Sequence, residues 1–309
     1  MLKHEAHASG RLGQAAMEPQ EPVLQRVREL LQEPPGGECD RLVELLGRRV
    51  QALREGEMRR ASIRVFFDQT DDAGLVAALE RIWEGCLLGR PAERELLQEL
   101  ALDGCLLREL AYDRITDLYE VATAAGLPEV ARMFLGDRHR ANPGADEAVV
   151  ENEHLALPAG VRSAAARSRD RFVLDRVLHD RDPRVIRIFL GNPRAVEQDV
   201  VRIAAMRPTR PEILEAIARH PRWARRYTVR LALACNPDTP LPIGIQLVPT
   251  LLLQDLRQLI SAIPVRPELK DVARAALDLR VRQQAGDTDP EEERAAEALL
   301  ADLEGGGGS

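Results

Sequence analysis

Proline recurs at regular intervals between residues 182 and 279, and this recurrence constrains the fold more than any other feature of the sequence. Four prolines open short apolar segments, 27 to 29 residues apart: Pro183, Pro211, Pro240 and Pro267. A second series closes the segments, and every second member recurs at the same interval: Pro193, Pro208, Pro221, Pro237, Pro249 and Pro264. Proline is tolerated in the first turn of a helix and interrupts it elsewhere. The pattern therefore predicts an internal repeat whose unit is a pair of short helices.

A short word rich in small residues recurs inside these units. Its instances are Val161–Ala165, Val201–Ala205, Val229–Leu233 and Val272–Ala276. Small residues there allow helices of adjacent units to pack closely. The fullest unit, Val229–Pro240, resembles the leucine-rich variant repeat and, more loosely, HEAT-like repeats. The resemblance covers about residues 158–279 and implies a curved stack of short helices used for binding. The units are slightly longer than is usual in that family, and they lack the cysteine cluster that carries an iron–sulfur centre in some relatives.

The repeat signature begins further upstream, because Leu127–Gly136 resembles Asp182–Gly191 position by position. The expected fold class is therefore all-α, with an α-solenoid of two-helix repeats of about 28 residues behind an all-α helical domain. The predicted divisions are a disordered N-terminus (1–20), the helical domain (21–126), the solenoid (127–282), an acidic linker with a C-terminal helix (283–304) and an added glycine-serine linker (305–309).

Three local signals mark helix ends within these divisions. Asp71 and Asp182 precede apolar periodic segments, and an aspartate side chain at such a position accepts a hydrogen bond from a first-turn backbone N–H group. Gly126 follows a periodic segment, where a left-handed glycine commonly ends a helix. We therefore expect helices to begin after both aspartates and to end before Gly126.

Composition excludes several classes of protein. No run of 18 apolar residues could span a bilayer, and no charged-then-apolar leader precedes a cleavage site. The four cysteines show no metal-ligand spacing: Cys39, Cys86, Cys105 and Cys235. The sequence thus predicts a cytoplasmic protein with reduced thiols, no cofactor, no metal and no membrane partner.

Charge is distributed unevenly along the chain. Residues 161–282 carry a net charge of +10, whereas residues 1–160 carry −10 and residues 283–309 carry −7. The basic repeats indicate an anionic partner, an association between the acidic and basic parts of the chain, or ordinary solvated faces.

The segment Arg219–Arg230 is the strongest local candidate for binding. It combines basic and aromatic residues, a mixture that can neutralise phosphates and stack bases: Arg222, Trp223, Arg225, Arg226, Tyr227 and Arg230. On a helix, the arginines at 222, 225 and 226 would share one side. The alternative is that Trp223 and Tyr227 are core anchors beside solvated arginines.

A second candidate is a row of arginines repeated between units. Arg202, Arg230 and Arg257 lie six or seven residues before closing prolines, so stacked units would align them on one surface able to bind carboxylates or phosphates. Alternatively, each arginine pairs with an acid of its own or the next unit, such as Asp199 or Asp255.

Catalysis has little support in the sequence. Histidine and carboxylates crowd together only at Glu151–His154 and His179–Asp182, and neither has the i, i+4 histidine spacing of a helical metal site. The leading hypothesis is a non-enzymatic scaffold that binds a protein partner along the solenoid groove. The alternative is a nucleic-acid-binding protein of the HEAT-like type, and an enzyme with a pocket between the acidic domain and the repeats is a third.

Overall fold

A computed structural model describes residues 21–53, 56–102, 104–135 and 153–287, and all regular secondary structure in these ranges is helical. The prediction of an all-α chain is confirmed there. Three predictions lie outside the described residues. They concern residues 1–20, residues 137–152 of the predicted insertion, and residues 288–309. The first eight helices are α1 (Glu21–Gln32), α2 (Glu38–Gln51), α3 (Gly56–Gln69), α4 (Asp72–Leu87), α5 (Pro91–Leu97, continued by a π-helical turn Gln98–Leu102), α6 (Cys105–Glu109), α7 (Tyr112–Ala124) and α8 (Pro128–Met133).

Nine further helices follow residue 153. They are α9 (Ala159–Ala165), α10 (Arg171–Val177), α11 (Pro183–Leu190), α12 (Glu197–Ala205), α13 (Pro211–Ala218), α14 (Tyr227–Ala234), α15 (Leu241–Leu247, continued by a 3₁₀ turn Val248–Thr250), α16 (Leu253–Ser261) and α17 (Pro267–Asp287). Opening prolines stand at the first position of α11, α13 and α17, as the sequence predicts.

Helix α4 is the centre of the first part of the molecule. Most of its side chains are buried, and α1, α2, α5, α7 and α8 pack around it. Its N-terminus is capped as predicted, because the Asp71 carboxylate accepts a hydrogen bond from the backbone N–H of Gly74 at 2.7 Å. Gly126 has a φ of +75° and follows the end of α7, so the predicted stop is also confirmed.

The helices after residue 158 pack on helices two places away in the chain. The contacts are α9 on α11, α11 on α13, α12 on α14 and α15 on α17. Asp182 caps α11 as predicted, accepting from the N–H of Arg184 at 2.9 Å. The pKa of Asp182 is lowered to about 2, first by the Arg184 side chain and then by this backbone bond, against the effect of burial.

Asparagine side chains connect helices at two of the closing prolines, Pro193 and Pro237. Asn192 and Asn236 each lie two residues after a helix, and each buried side-chain amide donates twice to the C-terminal carbonyls of the helix two places earlier. Those carbonyls have no intrahelical partner, so the amide satisfies them. The acceptors are Ala166 and Ser168 for Asn192 (2.9 and 2.8 Å), and Ala204 and Met206 for Asn236 (2.7 and 2.9 Å).

A buried aspartate makes a second recurring connection. Asp199 and Asp255 occupy the third position of α12 and α16, and each accepts hydrogen bonds from the first residue of the helix two places earlier. Arg171 donates to both oxygens of Asp199, and Tyr227 donates its hydroxyl to Asp255. Both connections span 28 residues. The N-termini of α10 and α12, and those of α14 and α16, are therefore held side by side.

Arg280 joins the end of the described chain to its first part. Its guanidinium group is buried and donates to four backbone carbonyls, two at the C-terminal end of α4, one in the 3₁₀ turn and one directly after that turn. The acceptors are Cys86 (3.0 Å), Leu87 (2.9 Å), Pro249 (2.6 Å) and Leu251 (2.7 Å).

Helix α17 continues to Asp287, which corrects the prediction of a linker beginning at residue 283. The polar residues 283–287 extend the helix instead of ending it.

Glu80, on α4, gives the fold a pH dependence. Burial, reinforced by the charges of Glu84 and Glu129, raises the pKa of the Glu80 carboxyl from 4.5 to about 7. Its contribution to stability is therefore present below pH 4.5 and is lost as the pH rises through about 7.

We expect Glu80→Gln to raise the free energy of unfolding by about 1 to 3 kcal/mol at pH 8 and to change it little at pH 4. Urea denaturation at the two pH values measures this difference. The exposed Glu44→Gln is the control and should behave like the unchanged protein at both. An equal effect of Glu80→Gln at both pH values would contradict the assigned pKa.

Candidate anion-binding site

The basic segment 219–230 is not one helix. Residues 221–225 form turns between α13 and α14, and α14 begins only at Tyr227. The prediction that Arg222, Arg225 and Arg226 share one helical side is therefore wrong. Pro221 accounts for the difference, since it cannot donate the backbone N–H that a continuing helix requires.

Trp223 is a core anchor. Its side chain is 1% exposed, and its indole N–H donates to the carbonyl of Leu190 at 2.8 Å. Arg222 lies over the indole ring at 4.2 Å and donates to the carbonyl of Ala195 at 3.2 Å. The alternative interpretation of Trp223 is the correct one, and its ring is not available to stack on a base.

Tyr227 and Arg230 are likewise used inside the protein. Tyr227 donates to Asp255 and accepts from the backbone N–H of Leu252 at 3.1 Å, and burial, with the Asp255 hydrogen bond, raises its pKa to about 12. Arg230 is only 6% exposed and donates to the carbonyl of Arg225 at 2.8 Å. The predicted row of Arg202, Arg230 and Arg257 is therefore interrupted at its middle member.

Arg225 points to the first part of the molecule. It forms an ion pair with Glu99 of the π-helical turn, and Glu99 also accepts a hydrogen bond from Arg59. Arg226 lies instead near Glu197 at the start of α12, with Nε 3.7 Å from a carboxylate oxygen. The two neighbouring arginines thus serve different surfaces.

An arginine-lined cleft, which the sequence did not reveal, lies between α10 and α12. Its volume is about 390 Å³, and it is lined by Arg169, Arg171, Leu174, Arg194, Val196, Gln198, Asp199 and Arg202. We call it the arginine cleft. Of the predicted binding residues only Arg202 lines it, while Arg222 and Arg226 contact the adjoining start of α12.

The four arginines of the cleft differ in their partners. Arg171 is held by Asp199, and this hydrogen bond raises the pKa of its guanidinium group. The guanidinium groups of Arg169, Arg194 and Arg202 make no hydrogen bond or ion pair with any side chain in the described ranges. The cleft therefore presents three unpaired positive charges at an exposed surface, and these can bind carboxylates or phosphates.

Arg257 lies apart from the arginine cleft. It borders a second, smaller groove of about 300 Å³ between α16 and α17. Arg171 and Tyr227 make the direct hydrogen bonds to Asp199 and Asp255. Against the effect of burial, the Arg171 hydrogen bond lowers the pKa of Asp199, and the charge of Arg202 contributes to this lowering.

His154 of the first histidine–carboxylate group contacts Asp180 of the second in the interior of the protein. His154 Nε2 lies 3.0 Å from Asp180 Oδ2, and Arg162 donates to the other oxygen of Asp180. Asp180 also accepts from the backbone N–H of Asp182 at 2.8 Å. The cluster joins residue 154 to the turn between α10 and α11, and its side chains are nearly inaccessible to solvent. This arrangement fits a structural contact.

Comparison of the chain with family models, with curated proteins and with solved structures finds no match. Within the described residues, no group of three or more histidine, cysteine, aspartate or glutamate side chains is placed to hold a metal ion. In the same ranges no helix has both the length and the apolar character needed to cross a bilayer. The arginine cleft is a candidate ligand site among the described residues.

Proposed function

We propose that this chain is a non-enzymatic helical-repeat scaffold that binds an acidic segment of another protein in the arginine cleft. The observation that carries the proposal is the convergence of Arg169, Arg194 and Arg202 on one cleft, whose carboxylate, Asp199, is already hydrogen-bonded by Arg171. Guanidinium groups bind carboxylates through two parallel N–H···O bonds. Three of them around one cleft favour a ligand that carries several carboxylates.

The scaffold is of the α-solenoid type in this proposal, related to the leucine-rich variant and HEAT-like repeats that the sequence resembles. Support comes from recurrence, since Asn192 and Asn236 make the same pair of bonds and Asp199 and Asp255 the same type of connection. A repeated connection between successive units is what a stack requires. Such a stack presents a long surface, on which the arginine cleft is one position.

Several observations favour a protein ligand over a nucleic acid. Trp223 and Arg230 are buried, so neither is available to stack on a base or neutralise a phosphate. The whole chain also carries a net charge of −7, which repels a long polyanion. A short acidic segment, in contrast, experiences mainly the local field of the arginines, because screening limits longer-range repulsion at physiological salt.

Fluorescence anisotropy with a labelled octaglutamate peptide tests the proposal. We expect saturable binding that weakens with added salt, and Arg194→Glu/Arg202→Glu should weaken it on the order of 100-fold because two attractive contacts become repulsive. The matched control is Arg187→Glu/Arg274→Glu, which makes the same change of charge at exposed positions of α11 and α17. The control should retain binding within about threefold, since only the summed charge changes.

Two outcomes would overturn the proposal. One is an equal loss of binding in the cleft variant and its control, which would show a dependence on total charge alone. The other is tighter binding of a 20-nucleotide DNA or RNA than of the peptide, which would favour the nucleic-acid hypothesis.

A further inference from the structure

The groove between α16 and α17 has a different chemistry from the arginine cleft. It is lined by Arg257, Leu277, Asp278, Val281 and Arg282. Val281 is 42% exposed, whereas a valine packed against another helix would be largely buried. The groove therefore combines an apolar floor with two arginines and one carboxylate, that of Asp278, beside it.

Both arginines of this groove are available to a ligand. The guanidinium groups of Arg257 and Arg282 make no ion pair or hydrogen bond within the described part of the chain. An apolar surface between unpaired arginines fits an amphipathic segment that carries acids beside leucines.

The sequence that follows α17 has this pattern. Residues 288–304 contain seven carboxylates and one arginine, with three leucines at helical spacing: Leu299, Leu300 and Leu303. Asp289-Pro290 followed by three glutamates is a typical helix start. The acids and the leucines complement the arginines and the apolar floor of the groove.

Distance along the chain also favours this occupant. Val281 and Arg282 lie six and five residues before Asp287, where α17 ends. At 1.5 Å per residue this separation is less than about 10 Å. A reversal at residues 288–290 would therefore bring the following residues antiparallel to α17 and alongside the groove.

We propose that residues 291–303 of the same chain dock in the groove between α16 and α17 and cover the last layer of the described helices. The leucines contact Leu277 and Val281, and the glutamates pair with Arg257 and Arg282. A short tether supplies an effective concentration of the order of millimolar, which favours this intramolecular contact over a second copy. Terminal units of helical stacks generally need such a cover, because their outer apolar face has no neighbour.

Hydrogen exchange of the full chain, followed by mass spectrometry, tests this contact. We expect amides of residues 291–303 to exchange at least about tenfold more slowly than an unstructured peptide of the same sequence. Leu299→Glu/Leu300→Glu in the segment and Val281→Glu in the groove should each remove this protection. Val161→Glu, a matched change at a 50% exposed valine of α9, should leave it unchanged.

Leu299→Glu/Leu300→Glu changes the segment and leaves every residue of the groove in place. Loss of protection in this variant therefore reports loss of docking and not unfolding of the groove. Exchange of residues 291–303 at the unstructured rate in the unchanged protein would overturn the proposal. Protection that disappears on tenfold dilution would assign the groove to a second copy. Protection that is lost in Arg194→Glu/Arg202→Glu but kept in Val281→Glu would place the segment in the arginine cleft. Both the dilution result and this result would contradict the proposal.

Discussion

Replacing Arg280 with methionine is expected to lower the free energy of unfolding by about 3 to 5 kcal/mol, as for other changes that leave buried polar groups unpaired. The change removes the Arg280 donors from the carbonyls of Cys86, Leu87, Pro249 and Leu251 at once, although the Cys86 carbonyl keeps the backbone N–H of Gly89 at 3.0 Å. Methionine keeps most of the side-chain volume, so packing contributes little to the difference. Burial lowers the pKa of Arg280, and removing its charge offsets part of the loss.

Urea denaturation measures this effect. Arg274→Met, also on α17 but 54% exposed, is the control and should cost less than about 0.5 kcal/mol. Gly89 provides a second probe, because a Cβ atom there would lie 2.9 Å from Arg280 Nε and the residue has a φ of +81°. We expect Gly89→Ala to destabilise the protein in the same direction. An Arg280→Met protein as stable as its control would show that this contact does not hold the two parts together.

Replacing Asn236 with leucine is expected to cost about 2 to 4 kcal/mol, since two carbonyls of the preceding unit lose their donors inside the protein. The backbone N–H of Asp238 also loses its acceptor, Asn236 Oδ1 at 2.9 Å. Asn192→Leu should cost a similar amount, because its contacts have the same form.

Thermal or urea unfolding of both variants tests whether the two positions are equivalent. The exposed Gln254→Leu on α16 is the control, with an expected change below about 0.5 kcal/mol. If the two asparagine variants were unequal by more than about 2 kcal/mol, the recurring bond would not be a repeated structural element.

Helix starts and caps could be predicted from the sequence because they depend on neighbouring residues. Pro183, Pro211 and Pro267 each open a helix, and Asp71 and Asp182 each cap one. The roles of proline and of capping side chains are set by backbone geometry within one turn. For the same reason the all-α class follows from the sequence alone.

The candidate site was predicted less well, because it depends on how separate helices meet. Helical spacing placed Arg222, Arg225 and Arg226 on one side, yet Pro221 and the turns after it give them different directions. Arg169 and Arg194 lie 25 residues apart, and only the packing of α10 beside α12 brings them to one cleft with Arg202. The signal that was available is the aspartate at the third position of α12, which recurs four helices later at the third position of α16.

Side-chain NMR of the arginine Nε–H groups tests the arginine cleft most directly. Octaglutamate peptide is added to the ¹⁵N-labelled protein, and the signals of Arg169, Arg194 and Arg202 are followed to saturation. The proposed function predicts that these three signals shift together along one binding curve, while those of Arg187 and Arg274 do not move. Shifts spread evenly over exposed arginines, or saturable binding that leaves the three cleft signals unchanged, would contradict it.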